Sequence, residues 1–187
     1  MKHNERHVFF SGRIRVFRRR GERFAMDCIN EIDNHGGGSV MIWAGISLHT
    51  KTPIVIIDGN LNARRYIDEV IQPIVIPHVQ ANRGMIFMQD NAPCHIARAT
   101  THMLAANRVQ VLRWPSKSPD LNPIEHVWDL LDRRVRQRPV QQNLHELEMD
   151  LVQEWTALFQ RSIRNYVMSM RARCLAVIAA DGGHTRY

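Results

Sequence analysis

Lysine is nearly missing from this 187-residue chain: only Lys2, Lys51 and Lys117 stand among 25 basic residues, against 18 acidic ones. The net charge of +7 is therefore carried by arginine. Its planar fork binds oxyanions bidentately, so a polyanionic partner such as nucleic acid is expected. Cysteine is scarce as well. Cys28, Cys94 and Cys174 are scattered and form no Cys-x-x-Cys, which argues against a disulfide framework or a zinc site and fits a reducing compartment. No apolar run approaches the roughly 20 residues that span a bilayer, and the polar start Met1-Lys2-His3-Asn4-Glu5-Arg6 does not read as a signal peptide. A cytosolic or nuclear protein with no membrane partner is expected. There is no internal repeat and no low-complexity linker, and the 44% hydrophobic content is enough for one core, so residues 1–187 read as a single domain.

The pattern of elements is mixed. His7-Val8-Phe9-Phe10 reads as a strand, Ser11-Gly12 as a hairpin turn, and Arg13-Ile14-Arg15-Val16-Phe17-Arg18 as a half-exposed strand with arginines on one face. A buried strand is expected over Ser39–Ile46 after Gly36-Gly37-Gly38, and a short one over Pro53–Ile57 before the turn Asp58-Gly59-Asn60. Asn62 can cap a helix carrying Tyr66, Ile67, Val70, Ile71 and Ile74, which Pro73 should break or kink. Strands over Met85–Gln89 and Val109–Leu112 flank a helix over Ile96–Ala106, and another helix starts near Pro123. Two apolar stripes follow. Leu144, Leu147, Leu151, Trp155 and Leu158 form one behind an Asn143/Glu146 capping box; Ile163, Val167, Met170, Cys174, Val177 and Ile178 form the other. Strands, then alternating elements, then helices make a mixed α/β layer fold.

Two carboxylates stand out. Asp90 closes the apolar run Met85-Ile86-Phe87-Met88 ahead of Asn91-Ala92-Pro93, and Glu125 lies in the helix-opening run Ser118-Pro119-Asp120-Leu121-Asn122-Pro123-Ile124-Glu125. Positions 91–124, 34 residues, separate them. Acids brought together from a strand end and a helix start can hold magnesium, which takes one or two carboxylates with water and phosphate. Each has a plainer reading. Asp90 suits ordinary turn chemistry. Asn122, Pro123, Ile124 and Glu125 match N-cap, N1, N2 and N3, so Glu125 could fold back into a capping box.

The segments around these acids resemble the catalytic core of the Tc/mariner transposases, in the retroviral-integrase, RNase H-like superfamily. Gly36–Trp43, Ile57–Asn62, Gln89–His95 and Trp114 through Glu125 carry the resemblance, with Arg171–Cys174 and Gly182–Tyr187 at the end. It implies an RNase H-like mixed sheet flanked by helices, with a helical C-terminal end. It also implies DNA transposition chemistry, in which three carboxylates hold two Mg2+ or Mn2+ ions that activate the attacking hydroxyl and stabilise the leaving oxygen. Asp90 and Glu125 would be the second and third acids. Double-stranded DNA, as transposon ends and target, is the implied partner, a homodimer the implied assembly and the nucleus the implied place of work.

The resemblance is imperfect at the start. The first acid belongs in an Asp-Glu-Ser/Ala motif, and the nearest counterpart is Asn4-Glu5-Arg6, with Asn4 at the aspartate position. Glu5 is one residue out of register, which on a strand reverses the facing side. The first strand is expected to be incomplete, the helix-turn-helix modules absent and catalysis impaired. The alternative is an inactive nucleic-acid-binding remnant. Phosphate contact is expected from Arg13, Arg15, Arg18, Arg19, Arg20 and Arg23, and from Arg133, Arg134, Arg136 and Arg138. Trp43, Trp114 and Trp128 read as core or loop anchors. His95 and His126 read as satisfied polar residues, and Asp129 and Asp132 as ion-pair partners of Arg133 or Arg136.

Overall fold

The computed structural model describes residues 8–12, 40–115, 118–183 and 185. Asn4, Glu5, the strand expected at Arg13–Arg18, the arginines at 13, 15, 18, 19, 20 and 23, and the glycines at 36–38 lie outside them.

Four strands form one sheet in the order β3-β2-β1-β4. They are β1 (Val8–Gly12), β2 (Met41–Ile46), β3 (Val55–Ile57) and β4 (Ile86–Met88). The three earlier strands pair antiparallel in succession, whereas β4 returns parallel to β1 with Val8 opposite Ile86 and Phe10 opposite Met88. The strand expected to be incomplete thus bridges both halves of the sheet over five residues. Ser11 and Gly12 are not a turn. They continue the strand opposite Gly45 and Ala44, because the antiparallel edge of β2 offers ladder hydrogen bonds beyond Phe10, where the pairing with β4 ends. The strand expected at 109–112 shrinks to one bridge, Phe87 with Val111, with Phe87 N donating to Gln110 O and Leu112 N to Phe87 O, both at 2.8 Å.

The crossover from β3 to β4 is one continuous helical run. Asn62 Oδ1 caps it by accepting from Arg65 N at 3.0 Å. It comprises α1 (Ala63–Tyr66), a π-helical stretch Ile67–Val75 and α2 (Ile76–Ala81). Pro73 lies inside the π stretch, so the expected break is absent: widening the coil relieves the clash of the proline ring with the preceding turn. After β4 come α3 (Pro93–Ile96), α4 (Arg98–Ala106), a 3-10 turn Pro119–Leu121, and α5 (Pro123–Val135). Then follow α6 (Leu144–Ala157), α7 (Gln160–Met168) and α8 (Met170–Ala179).

Strand alternation divides the core in two. Trp43 and Phe87 point to the side covered by the α1–α2 run, with Tyr66, Val70, Ile71 and Leu104. Ile42, Ala44, Ile46 and Met88 point to the other, with Ile124, Val127, Trp128 and Leu131 of α5 and Leu151 and Trp155 of α6. Trp43 and Trp128 are therefore core, as expected, while half-buried Trp114 lies at its margin. The second C-terminal stripe is only partly core. Ile163 is buried, but the helix divides at Ser169, and Cys174 and Ile178 are exposed. None of the described helices is long and apolar enough to cross a membrane.

Candidate active site

Asp90 lies two residues past the end of β4. Phe87 and Gln89 turn toward the α1 side, where Tyr66 Oη donates to Gln89 Oε1 at 2.8 Å, and Met88 turns toward α5. Glu125 follows Ile124, which packs in the same core cluster as Met88. Both acids are half-buried.

The Asp90 carboxylate is held from within its own turn. Oδ1 accepts from Ala92 N at 3.0 Å and from His95 Nδ1 at 2.6 Å. An ionised carboxylate can only accept, so the imidazole proton sits on Nδ1. The His95 side chain is buried, and its Nε2 is buried without a hydrogen-bond partner. The Tyr66 ring lies 4.5 Å from it, and Gln89 Nε2 donates to His95 O at 3.3 Å. Burial, the largest single influence, favours neutral imidazole, but the hydrogen bonds to Asp90 and Cys94 outweigh it and raise the His95 pKa. Asn91 Nδ2 ties the same turn to Trp114 O at 3.0 Å. The expected turn chemistry of Asp90 is observed, and it fixes the carboxylate through Oδ1. Tyr66 and Gln89 were not singled out for the site from sequence, because an apolar run conceals which face each of its neighbours takes.

Glu125 occupies the first turn of α5, where the helix dipole favours an anion. The Asn122 side chain makes no capping bond to that turn; instead its Nδ2 donates to Glu125 Oε1 at 3.3 Å. Its half of the expected capping box is missing, and Asn122 Oδ1 is buried without a partner. His126 turns the other way and stacks on Tyr166 at 5.6 Å. Burial first, then nearby Arg173, lower its pKa.

The basic residues of α5 divide. Arg134 Nε binds Glu154 Oε2 at 2.6 Å, and Arg138 reaches Glu154 Oε1 at 3.0 Å and Asp150 at 3.1 Å. Arg136 pairs with Asp132 at 2.8 Å, as the spacing suggested. Arg133 is exposed. Two of the four expected phosphate contacts, Arg134 and Arg138, thus tie α5 to α6.

Among the described residues no group of three or more His, Cys, Asp or Glu converges to hold a metal. The parallel β1–β4 pairing runs from Val8–Ile86 to Phe10–Met88, and Gly12, which closes β1, brings no side-chain oxygen to that end of the sheet.

Residues 12–148 match the DDE superfamily endonuclease family. The chain belongs to that family. It is 36% identical over 173 residues to the Tcb1 transposase of Caenorhabditis briggsae, covering 89% of this chain and 61% of that protein. It is 35% identical over 158 residues to the Tc1 transposase of Caenorhabditis elegans, covering 82% and 56%. The chain therefore spans little more than half the length of these relatives. Its fold is that of the Mos1 transposase catalytic domain, solved with raltegravir and Mg, at a TM-score of 0.74 and 18% identity over 96% of this chain and 85% of that one. The Mos1 mariner paired-end complex with Mn matches at 0.71 and 20% identity, covering 96% and 56%. The RNase H-like mixed sheet expected from the DDE motifs is the observed architecture.

Proposed function

We propose that this chain is the catalytic domain of a Tc1/mariner-type transposase, cutting transposon ends and joining them to target DNA in the nucleus, with Asp90 and Glu125 as its acids. The observation that carries the reading is the His95–Asp90 bond: a carboxylate just past a strand end is held at 2.6 Å by a buried imidazole. That investment in orientation suits a ligand more than a loop residue.

The donor set fits a divalent ion such as Mg2+ or Mn2+. Two half-buried carboxylates supply hard oxygens, and the buried Asn122 Oδ1 beside Glu125 lacks a partner. Such an ion supplies Lewis acidity to the attacking and leaving oxygens of phosphoryl transfer. The protein's own part is orientation. Asp90 is oriented through Oδ1, which accepts from His95 Nδ1 and Ala92 N. Glu125 is steadied by Asn122 Nδ2 and by the dipole of α5. Exposed Arg133 would take a phosphate, as would the arginines at 13, 15, 18, 19 and 20 that the sequence offers outside the described residues. Mos1 structures with Mg, with Mn and with a transposon end are in keeping with metal use, DNA binding and work as a dimer.

A second reading, a scaffold that binds DNA without cutting it, is favoured by Gly12, which closes β1 without a carboxylate. Manganese-dependent nicking of supercoiled DNA separates the two. Nicking by the wild-type chain that disappears in Asp90→Asn, with DNA affinity kept, supports the enzyme. A folded wild-type chain that binds but never nicks supports the scaffold.

A further inference from the structure

The turn that delivers Glu125 is gripped by the far end of the chain. Arg173 of α8 is 2% exposed. Its Nε donates to Ser169 Oγ at 2.7 Å and its Nη1 to the carbonyl of Asp120 at 2.9 Å. Ser169 Oγ is held in turn by donating to Tyr166 O at 2.6 Å. The Asp120 carboxylate then closes on the last described residue: Oδ2 accepts Thr185 N at 3.1 Å and Thr185 Oγ1 at 2.8 Å.

The chain is turned back to make this contact. Asp181 and Gly182 adopt positive φ, 47° and 78°, and Gly182 N donates to Val177 O at 2.9 Å, which stops α8 and reverses direction. Downstream of Glu125, His126 stacks on Tyr166 of α7. Glu125 is thus flanked by two anchors, the Pro119–Leu121 turn and His126, and both rest on α7–α8. A buried guanidinium is costly unless it is hydrogen-bonded. Arg173 is spent on the backbone of the turn that carries the acid.

We infer that the C-terminal α7–α8 hairpin is a positioning element for Glu125, with Arg173 and Thr185 clasping the Pro119–Leu121 turn. This lies beyond the family match at residues 12–148 and rests on the reading of Glu125 as a metal-binding acid. Its consequence is that the helical end, remote in sequence, sets metal affinity without touching the ion.

The test compares the full chain with Arg173→Met and Asp120→Asn, using Lys51→Met as a control that loosens α6 elsewhere. Hydrogen exchange of the amides at 121–125 and Mn2+ affinity by titration calorimetry are the readouts. Arg173→Met and Asp120→Asn should speed exchange at 121–125 by about tenfold and weaken Mn2+ by about tenfold, the loss usual when an outer-shell support goes. Exchange in β2 and β4 should stay unchanged. Lys51→Met should leave both site readouts unmoved. Unaltered exchange at 121–125 in both clasp variants overturns the inference. Glu125→Gln separates the two layers: if it too leaves Mn2+ binding intact, the metal reading of Glu125 fails, and exchange alone then decides the clasp. Asp120→Asn, on a partly exposed turn, keeps the test sound should Arg173→Met not fold.

Discussion

The imidazole of His95 and the carboxylate of Asp90 meet at 2.6 Å with the histidine side chain buried. A hydrogen bond to an ionised group contributes about 1.5–3 kcal/mol, roughly twice a neutral one. His95→Phe should therefore lower stability by about 2 kcal/mol in urea denaturation and reduce nicking. His95→Asn, which keeps a donor near Nδ1, should recover most nicking. Equal loss in both variants would show that the ring's volume under Tyr66, rather than its N–H, is what matters.

Glu125 and Asn122 give a second test. Glutamine at 125 can still accept from Asn122 Nδ2 but carries no charge. Glu125→Gln should shift stability by only about 0.5 kcal/mol, since helix-dipole interactions at exposed first turns are worth about that much, while manganese-dependent nicking falls at least tenfold. A large drop in melting temperature with nicking preserved would return Glu125 to a purely structural role.

DNA affinity should distinguish the arginines of α5. Each phosphate contact contributes about 0.9 to the slope of log K against log salt. Arg133→Ala should lower that slope by about one contact. Arg134→Ala should leave it unchanged and instead cost about 1 kcal/mol of stability through the lost Glu154 pair. A lower slope for Arg134→Ala would mean that the pair opens to meet DNA.

The same pair predicts acid sensitivity. Arg134, then Arg138, hold the Glu154 carboxyl below its ordinary value of 4.5. Its folded pKa lies below the unfolded one, so its contribution is fully present above about pH 4.5 and fades as pH falls through the folded value. Glu154→Gln should flatten the acid limb of a stability–pH curve and leave the neutral region only slightly lower. An unchanged acid limb would place the sensitivity elsewhere.

Lys51 offers a structural check on how α6 is seated. Its ammonium donates to Trp155 O at 2.5 Å, Leu158 O at 2.6 Å and Thr156 O at 3.1 Å, the carbonyls that α6 leaves open at its end. Burial, then Arg134, lower its pKa. Lys51→Met should cost about 1–2 kcal/mol, the range for losing charge-assisted bonds at a helix terminus, measured by thermal denaturation.

The sequence alone determined a good deal. Local pattern placed β2, β4, α5 and the capped start of α6, because apolar period and capping residues act within a few positions: Asn143 Oδ1 does accept from Glu146 N at 2.9 Å. Motifs located Asp90 and Glu125. What needed tertiary structure were the relationships between distant segments. Ser11-Gly12 reads as a turn until β2 supplies Gly45 and Ala44 as partners. Pro73 reads as a break until the packed Tyr66, Val70 and Val75 hold the run together as a π-helix. That Arg134 pairs with Glu154 shows only once α6 lies beside α5, and that Arg173 is buried against the Asp120 carbonyl shows only once the chain folds back. Short-range chemistry is written in neighbouring residues. Which buried group meets which is decided only when the layers close, since burial makes a partner obligatory and the fold alone supplies one.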